Sequence, residues 1–207
     1  MILHGYWRSG TSYRTRIALN LKGLAYEQAG VDLRAGDQRS DAFRALNPQG
    51  LVPALETADG VLTQSPAILE WLEERYPEPP LLPVTPADRA VVRAMAAAVA
   101  CDIHPLNNLR VLNAVRALGG EANAWAAQWI TAGFAALEVM IARRGGGFAF
   151  GDRPTLADCH LVPQAYSAER FGVDPTPYPH LMAVVETACA HPAFADAHPD
   201  RQSDADA

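Results

Sequence analysis

Apolar side chains mark residues 1–7, polar ones fill residues 8–12, and apolar positions then recur every fourth residue at Tyr13, Ile17 and Leu21. That pattern predicts a strand, a tight turn and a helix, with Ser12 as N-cap and Gly23 as the stop. Such a unit aims backbone N–H groups and the positive end of a helix dipole at one small volume. It suits an anion, whether phosphate, carboxylate or thiolate.

Residues 24–33 read as a second strand, residues 34–41 as a polar loop and residues 41–47 as a short helix ended by Pro48. Residues 48–56 form an apolar strand broken by Pro53, which cannot donate to a ladder and so belongs at an edge or a special turn. The bond before a proline is also where a cis peptide is cheap. After a turn at Asp59-Gly60 comes a further strand, and then a helix over residues 65–77. Ser65 is its N-cap, Pro66 stands at its first position, and Ile68, Leu69 and Leu72 share a face. The order β-α-β-α-β-β-α makes a compact layered unit over residues 1–81.

Five prolines between Pro77 and Pro86 break the pattern, and residues 82–87 read as a linker. Residues 88–207 are then an all-helical domain. Helices are expected over residues 88–118, kinked at Pro105, and over 121–143, where Trp125, Trp129, Gly133, Leu137 and Ile141 recur by fours. A capping box at Thr155 and Asp158 opens a helix to residue 171, and another covers residues 178–190. The tail over residues 198–207 is polar and reads as loose.

The 207 residues carry a net charge of -6 and a pI near 5.5. With no lysine- or arginine-rich block, nucleic acid is not the expected partner. The apolar runs are short and interrupted, so no membrane span is predicted, and residues 1–7 lack the features of a signal peptide. Three well-separated cysteines, Cys101, Cys159 and Cys189, argue against a disulfide framework and for a reduced cytoplasm. All three sit in apolar helical runs and read as buried thiols.

Composition leaves the anion at the turn to be chosen. No glycine-rich phosphate motif follows it, and no cysteine stands in it, which removes nucleotide and dithiol chemistry. Ser9 and Thr11 either cap the helix or offer hydroxyls to the anion. Gln64 and Ser65, at another helix start, have the same two readings. Residues 101–110, CDIHPLNNLR, crowd His104, Asn107, Asn108 and Arg110 together without the second histidine or carboxylate a metal would want, so no metal is expected. A polar lining facing the first domain is one reading of that stretch, and a satisfied Asp102–His104 core pair is the other. Arg8, Arg110 and Arg170 form a candidate cationic set for carboxylates, though each alone reads more often as a surface charge or salt bridge. Arg14 and Arg16 are expected to face solvent or a structural partner.

The stretches RSGTSYRTRIALNLKG, NPQGLVPAL, TQSPAILEWLEERYP, CDIHPLNNLRVL and GDRPTLADCHLVPQ together resemble the cytosolic glutathione transferases, and among them the zeta class. The resemblance implies an α/β thioredoxin-like N-terminal domain, an all-α C-terminal domain, a homodimer and glutathione as cofactor. It implies that Ser9 and Thr11 are catalytic, and that Ser9, Gln38, Val52, Pro53, Gln64, Ser65, His104 and Asn108 bind glutathione. Arg8, Arg110 and Arg170 would bind a small dicarboxylate substrate. The implied activity is cis–trans isomerisation of maleylacetoacetate by reversible thiolate addition. Maleylpyruvate as substrate, conjugation of small α-halo acids, or non-catalytic glutathione binding are the alternatives. One departure stands out: the class commonly has Ser-Ser-Cys where this chain has Ser9, Gly10 and Thr11.

Overall fold

The computed structural model describes residues 1–205 and divides into two units. The first begins with β1 (Ile2–Gly5), α1 (Gly10–Leu21) and β2 (Glu27–Gly30). A 3-10 turn at Asp37–Arg39 follows, then α2 (Asp41–Leu46), β3 (Ala54–Thr57), β4 (Gly60–Thr63) and α3 (Ser65–Arg75). The strands form one sheet in the order β2-β1-β3-β4. β1 runs parallel to β2, pairing Ile2 with Glu27, and antiparallel to β3, pairing Leu3 with Leu55. A helical crossover after β1 and a tight turn after β3 require this mixture, since only antiparallel neighbours can be joined by a hairpin.

α1 is the spine of this unit. Every residue from Ser12 to Leu19 is buried, including Arg14 and Arg16. The helix packs against α3 and also against α9 (Pro192–Ala197), so it is covered on more than one side. Polar side chains on such a helix must find partners inside. Arg16 donates to the Trp7 and Ala197 carbonyls at 2.9 and 3.0 Å. Burial draws its pKa down to about 10, against the pull of Tyr26 and Asp204, which leaves it charged at neutral pH. At the end of α1 the Lys22 ammonium lies 2.6 Å from a Glu73 carboxylate oxygen and 2.7 Å from the Pro79 carbonyl.

Residues past Pro192 therefore belong with the first unit, where the sequence reading had assigned them to the helical domain. The tail is also not loose through its described part. Asp204 accepts the Trp7 N–H at 3.0 Å, Gln202 accepts from Gln28 at 2.7 Å, and Asn20 donates to the Ala193 carbonyl at 3.0 Å. The tail's polar side chains satisfy strand and helix groups. Residues 206 and 207 lie outside the described residues.

The second unit runs from Leu81 to His191. It holds α4 (Pro86–Ala97), α5 (Leu109–Ala117), α6 (Ala122–Arg144), α7 (Leu156–Arg170) and α8 (Pro179–Ala190). Leu81 and Leu82, at the edge of the expected linker, are core residues of this unit, and the Leu81 carbonyl accepts from Leu156. The expected kinked helix over residues 88–118 is instead broken. α4 widens into a π-helical turn at Ala98–Ile103, tightens to a 3-10 turn at His104–Leu106, and α5 starts anew after Asn108. Pro105 lacks an N–H, and the Asn108 side chain supplies a fresh cap.

α6 buries Ala122, Ala126, Ile130, Phe134, Leu137 and Ile141, so Leu137 and Ile141 fall on the predicted stripe while its first half is shifted by one position from Trp125, Trp129 and Gly133. A β-carbon on Gly133 would collide with the Ile103 side chain, so a glycine there lets α6 approach the π-helical turn. α6 is long and apolar enough to span a membrane by length and composition, but its bulky residues pack on α5, α8 and the π-helical turn. Asp158 in α7 is fully buried and accepts from Ala149 N, Thr155 N and Thr155 Oγ1 at 2.7–2.8 Å, completing the predicted capping box.

Candidate active site

The turn after β1 is fixed from both sides. Ser12 Oγ accepts the Tyr6 N–H at 3.2 Å, and a β-carbon on Gly5 would come within 2.9 Å of that oxygen. The start of α1 thus sits directly on β1. Ser9, not Ser12, is the N-cap: its Oγ accepts from Ser12 N at 3.3 Å. Ser12 is drawn inward to the strand and is unavailable for capping.

Two further hydrogen bonds set the proton arrangement. Thr11 Oγ1 donates to the Val52 carbonyl at 3.0 Å, and Ser9 Oγ lies 2.9 Å from Thr11 Oγ1. A hydroxyl has one proton. Thr11 gives its proton to Val52, a pure acceptor, so Ser9 is the donor to Thr11. The result is a relay from Ser9 through Thr11 to the Val52 carbonyl, lying at the positive end of α1. Both hydroxyls are partly exposed, so a ligand can reach them. Only the Ser9 proton can turn to an incoming anion without releasing the loop.

That loop is itself built by side chains. Asn47, 2% exposed, donates to the Leu51 carbonyl at 2.6 Å and accepts from Gln49 N at 3.1 Å. Gly50 takes φ +62°, and a β-carbon there would press on the Gln38 carbonyl at 2.9 Å. The Val52–Pro53 bond is cis, and Pro53 is buried immediately before β3. Gln38, read as a loop residue, is buried in its 3-10 turn, and its Oε1 has no hydrogen-bond partner among the described residues.

The start of α3 carries the second candidate anion position. Gln64 is its N-cap and has φ +65°, the one non-glycine residue in positive φ among the described residues. Such backbone is costly and clusters where function requires it. Its Nε2 donates to Gln49 Oε1 at 2.6 Å, tying the α3 start to the loop. Ser65, the expected cap, is instead the first helical residue and is buried, with Arg14 Nη1 donating to its Oγ at 3.3 Å. The first unit thus gathers Ser9, Thr11, Val52 and the loop that carries it, while Gln64 and Ser65 head the adjoining α3.

Of the second unit's expected residues, His104, Asn108 and Arg110 lie around the helix break and Arg170 ends α7. Asn108 caps α5, accepting from Val111 N at 3.2 Å and donating to the Pro105 carbonyl at 2.8 Å, so its amide serves the helix. His104 opens the 3-10 turn and is half-buried. Arg110 in α5 and Arg170 at the end of α7 are exposed, and the Arg170 guanidinium lies 5.9 Å from the Tyr166 and Phe171 rings. Arg8 in the first unit is half-buried with its guanidinium 5.0 Å from the Trp7 ring. Of the cysteines, only Cys159 is buried; Cys101, in the π-helical turn, and Cys189, near the end of α8, are exposed.

Arg14 and Asn47 hold Ser65 and the Val52 loop in place, and the sequence reading gives neither residue that role. Asn47 has a faint signal of it, in the Asn-Pro-Gln-Gly turn chemistry that follows it. Arg14 has none, since an arginine in a helix normally signals an exposed face.

Residues 3–80 match the glutathione S-transferase N-terminal domain and residues 130–192 the glutathione S-transferase C-terminal domain. The chain is similar to a maleylpyruvate isomerase of Ralstonia sp, 56% identical over 99% of both chains. It is similar to a maleylacetoacetate isomerase of Pseudomonas aeruginosa, 51% identical over 99% of this chain and 98% of the relative. Among solved structures, a holo maleylpyruvate isomerase of the zeta class matches with a TM-score of 0.97 and 54% identity, over the whole of both chains. A maleylacetoacetate isomerase from Anaeromyxobacter dehalogenans, with bound dicarboxyethyl glutathione and citrate, matches at a TM-score of 0.90 and 48% identity. That match covers 99% of this chain and 97% of the other.

Proposed function

We infer the reaction from one premise: the chain belongs to the glutathione S-transferase family, in its zeta class. Its activity is glutathione-dependent cis–trans isomerisation of maleylacetoacetate to fumarylacetoacetate. The observation that carries this reading is the Ser9 hydroxyl, set at the N-terminus of α1 in a turn without cysteine. A free thiol of pKa about 8.5 is mostly protonated at neutral pH. A hydroxyl donor with helix-end N–H groups lowers that pKa by stabilising the thiolate.

The thiolate adds to the alkene carbon conjugated with the ketone, forming a C–S bond while the π pair moves to the carbonyl oxygen as an enolate. The former double bond is now single and rotates. The enolate then collapses, re-forms the alkene as the trans isomer and expels the thiolate, so glutathione is unchanged overall. Ser9 donates a hydrogen bond to the thiolate and keeps its proton. Thr11 and Val52 hold the loop beside it, and Gln38, Gln64 and Ser65 hold the peptide. Arg8, Arg110 and Arg170 are carboxylate ligands that also offset the enolate's charge. The dicarboxyethyl glutathione bound by the Anaeromyxobacter enzyme supports the addition step, because thiolate addition across a butenedioate yields that group.

Maleylpyruvate is the second reading of the substrate, favoured by the 56% identity to the Ralstonia isomerase. The homodimer, the cytoplasmic setting and a place in aromatic catabolism rest on the resemblance and are part of the same proposal. An ultraviolet assay with maleylacetone and maleylpyruvate, with and without glutathione, tests the reaction. Glutathione-dependent loss of the cis-enone signal is expected, with total thiol constant. Consumption of thiol in proportion to product would instead mean conjugation.

A further inference from the structure

Arg14 is an arginine that stands in the middle of α1 and is 2% exposed. Its Nη1 donates to Ser65 Oγ at 3.3 Å, across the contact between α1 and α3. A guanidinium has donors and no acceptor, so the serine oxygen can only accept from it. The single Ser65 proton is then left to donate elsewhere. Ser65 is the first residue of α3, where backbone N–H groups lack intrahelical partners and the dipole favours an anion. Arg14 therefore occupies an acceptor position of the Ser65 oxygen and turns the hydroxyl proton away from the guanidinium.

We propose that Arg14 is a positioning residue for the γ-glutamyl α-carboxylate of glutathione, acting through Ser65 without touching the peptide. This rests on the reading of Ser65 as a glutathione ligand. A guanidinium held in a helical core is a costly way merely to join two helices, where an apolar side chain of equal length would pack at no electrostatic cost. In the absence of Arg14 the Ser65 hydroxyl is free to turn, and the carboxylate loses a preset donor.

The test compares two probes by calorimetry: glutathione, and γ-aminobutyryl-cysteinylglycine, which lacks only the α-carboxylate. Arg14→Met is expected to weaken glutathione about tenfold, as for a lost hydrogen bond to a charged group, and the analogue less than about twofold. Equal weakening of both probes, or of neither, overturns the inference, since a merely structural residue cannot tell the two apart. If methionine at this buried position does not fold, Arg14→Lys keeps a cation in the core and carries the same comparison. A smaller but still glutathione-selective loss is then expected, and an unselective one overturns the inference. Wild-type protein that does not bind glutathione overturns the reading of the site as well, whereas wild-type binding with an unselective variant overturns the inference alone.

Discussion

Two neighbouring hydroxyls carry different tasks because one proton is already committed. Thr11 spends its proton on the Val52 carbonyl, so Ser9 is the one able to turn to a thiolate. Ser9→Ala is expected to lower kcat about 10²-fold, the loss typical of one preorganised donor to a developing anion. The pKa of enzyme-bound glutathione should rise with it, read from thiolate absorbance. Thr11→Val should act on binding: it releases the loop, and KM for glutathione rises about fivefold, equivalent to one ordinary hydrogen bond of about 1 kcal/mol, with kcat little changed. Equal falls in kcat from both variants would show that Thr11 takes part in the chemistry directly. The sequence located this turn but exchanged its serines. Ser12 looked like the cap because it precedes the apolar repeat, and only the closeness of Gly5 shows why it turns to Tyr6 instead.

At the scale of elements, a helix start was readable where its cap chemistry stands in the sequence. α7 shows this, with its capping box visible from Thr155 and Asp158 although the helix itself is buried from Leu156 to Gln164. The same box gives a pH prediction. Burial drives the Asp158 pKa up from 3.8 to about 6, outweighing the hydrogen bonds from Ala149 and Thr155 that pull it down. A folded-state pKa above the unfolded one means that the native state holds its proton more tightly. The stabilisation is complete below about pH 4 and is lost as pH rises through about 6, a change of about 3 kcal/mol. Urea denaturation of wild type and Asp158→Asn across that window should show the wild type's relative stability falling. A difference that stays flat with pH would exclude the buried carboxylate as its source. Elsewhere the pattern misled. α1 is enclosed on several sides, so its eight consecutive buried residues include Arg14, Thr15 and Arg16, and no apolar stripe reveals its depth. The break between α4 and α5 was read as a kink because the sequence shows Pro105, while the rescue by Asn108 is a three-dimensional fact.

For the whole molecule, the order of domains was legible and their membership was not. Proline density marks the first boundary, yet nothing in the composition of α9 reveals that it returns to the first unit. Removal of the residues from Pro192 onward is expected to leave Arg16 without its Ala197 partner and Trp7 N without Asp204. Each buried group so orphaned costs about 1–3 kcal/mol, so glutathione affinity and thermal midpoint should both fall. A truncated protein with unaltered glutathione binding would show the segment to be dispensable. The same closure has a consequence for biosynthesis. When the ribosome has released residues 1–80, the spine helix still lacks one of the walls against which it is buried. That wall arrives only after the whole second unit has been translated. Nascent chains will therefore hold a half-dressed first unit through most of elongation, a natural client for chaperones. Frameshifts late in the reading frame should injure the first unit rather than the helical unit in which, by sequence position, they would be mapped.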